Sequence, residues 1–186
     1  MRSQRRCLPV ADIEKNPSKA EEMNKILCIG EALIDMICTD KGRALQHGDN
    51  FLKKAGGAPA NVAAAIAALG GKVDLAAKVG VDPFGTHLVE VMGSFGVGTS
   101  LMLRDPDHFT TFAFVSLMEN GERDFYFNRG ADAFLKSDDL RSLSVTDYQI
   151  VHFGAALAFL PGDFRDTYAG MLAAARDSGR YISFDP

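Results

Sequence analysis

No tryptophan occurs in the 186 residues, and there are only three cysteines, Cys7, Cys28 and Cys38. An odd number without a CxxC pair argues against a disulfide framework and a cysteine zinc site. It fits reduced thiols in the cytosol. The four histidines, His47, His87, His108 and His152, have no metal-ligand spacing. There is no GxxxxGK[ST] phosphate loop, no GxGxxG after the first strand, no HExxH and no GxSxG. Nucleotide binding of the P-loop or dinucleotide type, zinc peptidase chemistry and a serine nucleophile elbow are therefore without their motifs. No apolar run is long enough to span a membrane. Basic residues do not dominate: 20 Lys and Arg stand against 24 Asp and Glu, a net charge of -4. Beyond the first six residues the cations are scattered, which argues against a nucleic-acid or membrane partner.

What is present is ordinary for a globular chain: 47% hydrophobic and 24% charged residues. The length suits one domain, or a large piece of one, with a sizeable core. Residues 1–23 stand apart. They lack hydrophobic periodicity, and are read as a disordered tail or as a mis-assigned start preceding Met23. Their arginines flank no apolar segment, so they are not a secretory signal, and Asp12, Glu14, Glu21 and Glu22 argue against a mitochondrial transit peptide.

From residue 24 the chain alternates. "KILCIG" is a short apolar run closed by glycine, which predicts a buried, parallel strand with Cys28 in the core. "EALIDMICTDKG" alternates in part, and "FLKKA" predicts another short strand. A helix starts near Pro59 and stops at Gly70, with Val62, Ile66 and Leu69 as its apolar stripe. "KVDLAAKVG" predicts a strand. Asp82 then caps a helix that opens on Pro83 and presents Phe84, Leu88 and Val91 on one face. Strand–helix–strand–helix order predicts an α/β sandwich around a largely parallel sheet.

The middle of the chain departs from this pattern. "TTFAFVSLMENGERDFYFN" holds two β-rich runs about Asn120-Gly121, which predicts a hairpin with a type I′ turn, at a sheet edge or in a lid. Alternation then resumes, with a short helix capped by Ser137, a strand over 148–154, a helix presenting Phe164, Tyr168, Met171, Leu172 and Ala175 inward, and a final buried strand, "RYISFDP". Functional loops of α/β sheets lie at the carboxyl ends of strands. A chain ending on Asp185-Pro186 stops where such a loop begins, which reads as a truncated protein.

Four places carry candidate chemistry. Gly56 and Gly57 let a ligand approach backbone N–H groups that a helix start leaves unsatisfied. Asn61 adds an amide with one acceptor and two donors. Those donors suit hydroxyl oxygens or a phosphate, and a tight turn with no ligand explains the same spacing. Asp35, among apolar Ala32, Leu33, Ile34, Met36 and Ile37, either faces solvent or accepts from sugar hydroxyls. Arg129 in "FYFNRGAD" either ends a strand in solvent or forks onto an anionic or hydroxylated ligand. "GVDPFG" is explained by capping and turn needs alone. His152 reads as a core residue rather than a catalyst.

"GEALID", "GGAPANVAAAIAALGG", "KVGVDPFG", "TTFAFVSLMENGERDFYFNRGADAFL" and "ISFDP" occur in that order. Residues 25–186 so resemble the ribokinase-like (PfkB-type) carbohydrate kinases, and look most similar to fructokinases. Val81 is a departure, standing where an acidic residue is usual. The resemblance implies a three-layer α/β/α sandwich with a small β lid, residues 33–53 and 101–129 supplying lid strands, and 24–186 forming the N-terminal part of the kinase domain. It implies that Asp35, Gly56, Gly57, Asn61 and Arg129 line the sugar site, with Asp185 at its edge. The implied reaction is phosphoryl transfer from ATP with Mg2+ to a sugar hydroxyl, with a homodimer through the lid. The family's Asn-x-x-Glu and Gly-Ala-Gly-Asp elements, for magnesium and for the anion hole and catalytic base, are absent. No catalytic residue is therefore assigned, and the chain is expected to be inactive alone and poorly stable. A ketodeoxygluconate or related sugar-acid kinase, and a catalytically dead sugar-binding or dimerising module, are the alternatives.

Overall fold

Two sheets organise the chain. The structure, a computed structural model, describes residues 25–118, 120–154 and 156–185. The readings of residues 1–23 and of Met23 lie outside the described residues. The first sheet has five strands in the order β5-β4-β1-β8-β9, formed by Met102–Asp105, Lys72–Gly80, Lys25–Ile29, Ile150–Gly154 and Tyr181–Asp185. Every neighbouring pair is parallel. The second has four strands in the order β3-β2-β6-β7, from Phe51–Gly56, Leu33–Cys38, Phe112–Leu117 and Arg123–Asn128. Here β2 and β6 run parallel, and each carries an antiparallel outer strand.

The continuous apolar runs of β1 and β4 follow from burial on both faces. Successive side chains of β1 point to opposite sides. Cys28 joins one core cluster with Ala60, Ala63, Leu88 and Met92 from helices α1 (Ala58–Ala68) and α2 (Pro83–Ser94). Leu27 and Ile29 join another with Phe164, Tyr168 and Ala175 of helix α3 (Asp163–Asp177). The result is the expected α/β/α sandwich.

The helix boundaries obey the expected punctuation. Pro59 stands in the first turn of α1, where its missing N–H is no loss. Asp82 caps α2 by accepting from the Phe84 and Gly85 amides. The three α-helices among the described residues close the same way. A glycine at positive φ (Gly70, Gly96, Gly179) and the next residue return two amides to the last turn, the Schellman arrangement that satisfies terminal carbonyls.

Five expectations are corrected. Of the expected α1 stripe, Val62 and Ile66 pack partly buried against the core, but the fully buried residues are Pro59, Ala60 and Ala63, and Leu69 is 90% exposed. The alanine face wins because small side chains let the helix approach the sheet, and Leu69 lies past the last helical turn. Strand β5, placed in the lid by resemblance, is the edge of the first sheet. The hairpin forms as expected, but its turn is closed by Gly121 N–H to Met118 O and Met118 N–H to Glu122 O. That is a three-residue connection with Gly121 at φ 83 and Asn120 not at positive φ, rather than a two-residue type I′ turn. Ser137 is the first residue of a 3-10 turn, not its cap, and the Asp139 carboxylate accepts the Lys136 amide there. Finally, β9 is exposed along all five residues, because among the described residues it has a partner only in β8.

Candidate functional site

The order of the first sheet locates a site before any side chain is considered. From β1 the chain moves outward through β4 and β5 on one side, and later through β8 and β9 on the other. The direction reverses between β1 and β8, and α/β sheets bind ligands at the carboxyl ends of strands at such a point. Gly30 and Glu31 follow β1 there, and β8 ends on Gly154.

Strand β2 leaves this point carrying Asp35. Register and alternation put Asp35 on one face of the second sheet with its cross-strand partner Lys54, with Arg123, and with an apolar set that includes Leu33, Ile37, Ala113 and Phe127. Most of that face is open, with Ile37, Leu52, Leu117, Phe125 and Phe127 all exposed. Asp35 is half-buried, and burial raises its carboxyl above the usual range. Its Oδ2 lies where a Cβ on Gly56 would stand. The glycine therefore makes room for the carboxylate.

Gly57 follows as the N-cap of α1 at φ 103, a conformation that glycine alone adopts freely. A Cβ there would run into the Glu31 carbonyl oxygen. Asn61 is one turn into α1, its amide bonded to the Gly57 carbonyl and the residue exposed. Asp35, Gly56, Gly57 and Asn61 are thus brought together around one turn.

Arg129 sits at the base of the second sheet with much of its fork engaged. Nε donates to Asp132 Oδ2 at 2.8 Å and Nη1 to the Pro161 carbonyl at 3.1 Å. Nη2 is buried with no partner among the described residues. Asp132 also accepts from the Thr111 hydroxyl, while Thr111 accepts the Gly130 amide and its carbonyl takes the Ile34 amide. Arg129 is so tied to the segments from which β2 and β6 emerge. Asp185 ends β9 opposite Gly154 and is exposed. It lies near His152 and Tyr168. Burial lowers the His152 imidazole, an effect that Asp185 opposes. Burial, then Glu31 and Asp185, push the Tyr168 phenol up.

Glu31 and Asp132 were missed by sequence reasoning. Glu31 is 1% exposed, its Oε1 accepts the Ala58 amide, and its Oε2 has no partner among the described residues. Burial raises its carboxyl to about 7, with a further upward push from Asp132. The available signal was a carboxylate directly after the glycine that closes β1. His152 is core-buried as expected, yet only Nδ1 is paired, with Ser183 Oγ at 3.0 Å, and Nε2 is left without a partner. Cys28 is buried in the core, its thiol pushed up by burial to about 12. A cleft of about 430 Å³ beside Lys78, Asp105, His108 and Phe134 lies at the ends of β4 and β5. Within it Lys78 is paired with both Asp105 and Asp139.

Among the described residues no helix is long and apolar enough to cross a membrane. The "pfkB family carbohydrate kinase" model matches residues 23–186. The chain is 37% identical over 163 residues to probable fructokinase-5 of Arabidopsis thaliana, covering 87% of this chain and 50% of that protein. It superposes on the fructokinase of Halothermothrix orenii with a TM-score of 0.79 at 30% identity, covering 87% of this chain and 57% of that one. The ATP-bound fructokinase of Xylella fastidiosa gives 0.76 at 36% identity, covering 88% and 51%. The chain spans about half the length of the curated relatives it matches. With this match over its length, and with a ribokinase-like sandwich and β lid around the Asp35 turn, the chain belongs to the pfkB family of carbohydrate kinases.

Proposed function

We propose that this chain supplies the sugar-binding half of a kinase that moves a phosphoryl group from ATP, with Mg2+, to a hydroxyl of fructose or a similar ketose. The observation that carries this reading is Asp35 seated over Gly56 beside the Gly57 and Asn61 turn, on an open face at the switch point. The ionised Asp35 accepts from ligand hydroxyls, the Gly57 turn admits a close approach, and Asn61 offers donors and an acceptor. The second sheet covers the ligand and excludes water, which otherwise competes as acceptor. Asp185 stands at the pocket edge. Among the described residues no group of three or more His, Cys, Asp or Glu side chains could hold a metal ion, so no step on this chain is assigned to Mg2+.

A neutral ketose is favoured over a sugar acid because Asp132 and Pro161 already occupy Nε and Nη1 of Arg129. The remaining Nη2 is buried, so a ligand carboxylate would find no open bidentate fork. The buried free thiols Cys28 and Cys38 fit a reducing compartment such as the cytosol. The exposed Leu117, Phe125 and Phe127 fit pairing with a second copy through the lid, which light scattering would detect as twice the chain mass.

Calorimetry with fructose and with 2-keto-3-deoxygluconate, beside a coupled ATP assay, tests the reading. Fructose binding, weaker sugar-acid binding and no turnover by the 186-residue chain are expected. Turnover by the chain alone, or tighter binding of the acid, overturns it.

A further inference from the structure

Helix α1 lacks the usual means of holding its own first turn. Its N-cap is Gly57, which has no side chain to accept an amide, and no acidic residue stands in the first turn. Helix α2, by contrast, is capped by its own Asp82. A first turn without a cap loses stability and definition.

The missing acceptor comes from another element. Glu31, one residue beyond the Gly30 that closes β1, reaches the Ala58 N–H with Oε1 at 3.4 Å. Its backbone also bears on the turn, since its carbonyl oxygen fills the space that a side chain on Gly57 would need. One residue so fixes both the path of the chain at Gly57 and the amide that follows. The position is a costly one for a carboxyl. Glu31 is 1% exposed and its Oε2 has no partner among the described residues, and buried acids are rare unless paired. Asp132, the carboxylate that holds Arg129, is a further unfavourable neighbour. A residue serving only to fill space would be better as an apolar side chain. What Glu31 supplies that an apolar residue cannot is an acceptor, for the Ala58 amide of α1 and for the backbone at Ala156.

We propose that Glu31 is the positioning residue of this site, capping α1 from the end of β1 and so fixing Gly57 and Asn61 in front of Asp35 for a sugar hydroxyl. The inference rests on the sugar-site reading above. Glu31 acts through the turn and not on the ligand, so it is not a catalytic residue. The requirement is for an acceptor oxygen at the right reach, not for charge. Glutamine meets it through its amide oxygen. Alanine lacks the oxygen, and aspartate is shorter by one methylene and falls short.

The test uses the 186-residue chain and its Glu31→Gln, Glu31→Asp and Glu31→Ala variants. Amide hydrogen exchange at Ala58 and Asn61 reads the turn, and calorimetry with fructose reads the site. Glu31→Gln is expected to keep Ala58 protection and fructose affinity within about threefold of the parent. Glu31→Asp and Glu31→Ala are expected to speed Ala58 exchange and weaken fructose binding, each by about tenfold, the effect of losing a cap of ~1 kcal/mol or more. Glutamine rescue separates positioning by an acceptor from a need for charge. Equal loss in Glu31→Gln and Glu31→Asp overturns the inference, as does unchanged Ala58 exchange in Glu31→Asp. If Ala58 exchange responds but the parent chain binds no fructose, the sugar reading falls. Glu31 is then a cap of the fold alone, and the inference falls with it.

Discussion

The carboxylate of Asp35 occupies the space that a side chain on Gly56 would fill. The two residues lie on neighbouring antiparallel strands, in the register that pairs Leu33 with Gly56 and Asp35 with Lys54. Gly56→Ala therefore sets a methyl against the far end of a flexible side chain rather than against backbone. Asp35 can rotate away at little cost to the fold, but its acceptor oxygens leave their place. The expected outcome is a stability loss of about 1 kcal/mol or less with fructose affinity down tenfold or more. Denaturant unfolding and calorimetry on the same sample check the split. A large loss of stability with unchanged affinity would show that Gly56 serves packing alone.

Gly57→Ala makes the opposite case. The new methyl meets the Glu31 backbone oxygen, which cannot swing aside, and φ 103 is strained for any side chain. The expected cost is roughly 2–4 kcal/mol of stability, read as a lower denaturant midpoint at unchanged slope. Adjacent glycines thus separate by mechanism. One makes room for a functional side chain, and the other permits a backbone path.

These contrasts mark what the chain discloses before folding. β1 and β4 were legible because burial on both faces leaves a continuous apolar run. The helix limits were legible because Pro59, Asp82, Pro83 and the glycines at 70, 96 and 179 have few other uses at those positions. The parallel pairing of β2 with β6 was not, since it joins residues nearly 80 apart in sequence, Ile34 with Phe112, and no local pattern encodes a distant partner. The α1 stripe held at Val62 and Ile66 but misled at Leu69, because hydrophobicity ranks Leu69 above Ala60, whereas close helix–sheet packing selects the smaller residue. At the site, Asp35 and the glycine turn were found through their oddity in apolar or helical surroundings. Glu31 was not, because a carboxylate after a strand-ending glycine is ordinarily solvated. Only the tertiary packing of α1 and of the segment after β8 buries it.

Buried Glu31 predicts a specific pH dependence. Burial raises its folded carboxyl from 4.5 to about 7. A raised folded value means that this group's stabilisation is fully present below the unfolded value and is lost as pH rises through the folded one. Between pH 4.5 and 7 the contribution falls by on the order of 3 kcal/mol relative to a residue that does not titrate. Glu31→Gln removes this component. The difference in unfolding free energy between variant and parent should grow in the variant's favour from pH 5 to pH 8. A constant difference would show that Glu31 is not held protonated by burial.

Lys78 holds three parts of the first sheet's carboxyl edge together. Its side chain is 13% exposed, and its ammonium lies 2.8 Å from Asp139 and 3.5 Å from Asp105 and also donates to the Phe134 carbonyl. Lys78→Met keeps the stem and deletes the charge, leaving two carboxylates without their shared cation. The expected loss is about 3 kcal/mol. Asp105→Asn in the Lys78→Met background should recover part of it, because the second change removes one uncompensated charge. Additive losses in the double variant would show that the pair does not interact.

Asp82 joins α2 to Thr110 just before β6, which explains "GVDPFG" without assigning it any chemistry. Oδ1 accepts the Phe84 and Gly85 amides and the Thr110 hydroxyl, and Oδ2 accepts the Thr110 amide at 2.7 Å. Burial alone would raise this carboxyl, but those hydrogen bonds bring it below the usual range. Stability from a lowered group is present above its unfolded value and is lost as pH falls through the folded one. Asp82→Ala removes the helix cap and the tie to Thr110 together, an expected cost of about 2–4 kcal/mol at neutral pH. Asp82→Asn keeps one acceptor oxygen and should lose about half as much. Both variants should also loosen the second sheet, because Thr110 adjoins the Thr111 carbonyl that takes the Ile34 amide at 3.0 Å. Faster exchange at Ile34 in Asp82→Ala, with β1 amides unchanged, is the expected signature. Equal protection at Ile34 in parent and variant would confine the role of Asp82 to α2.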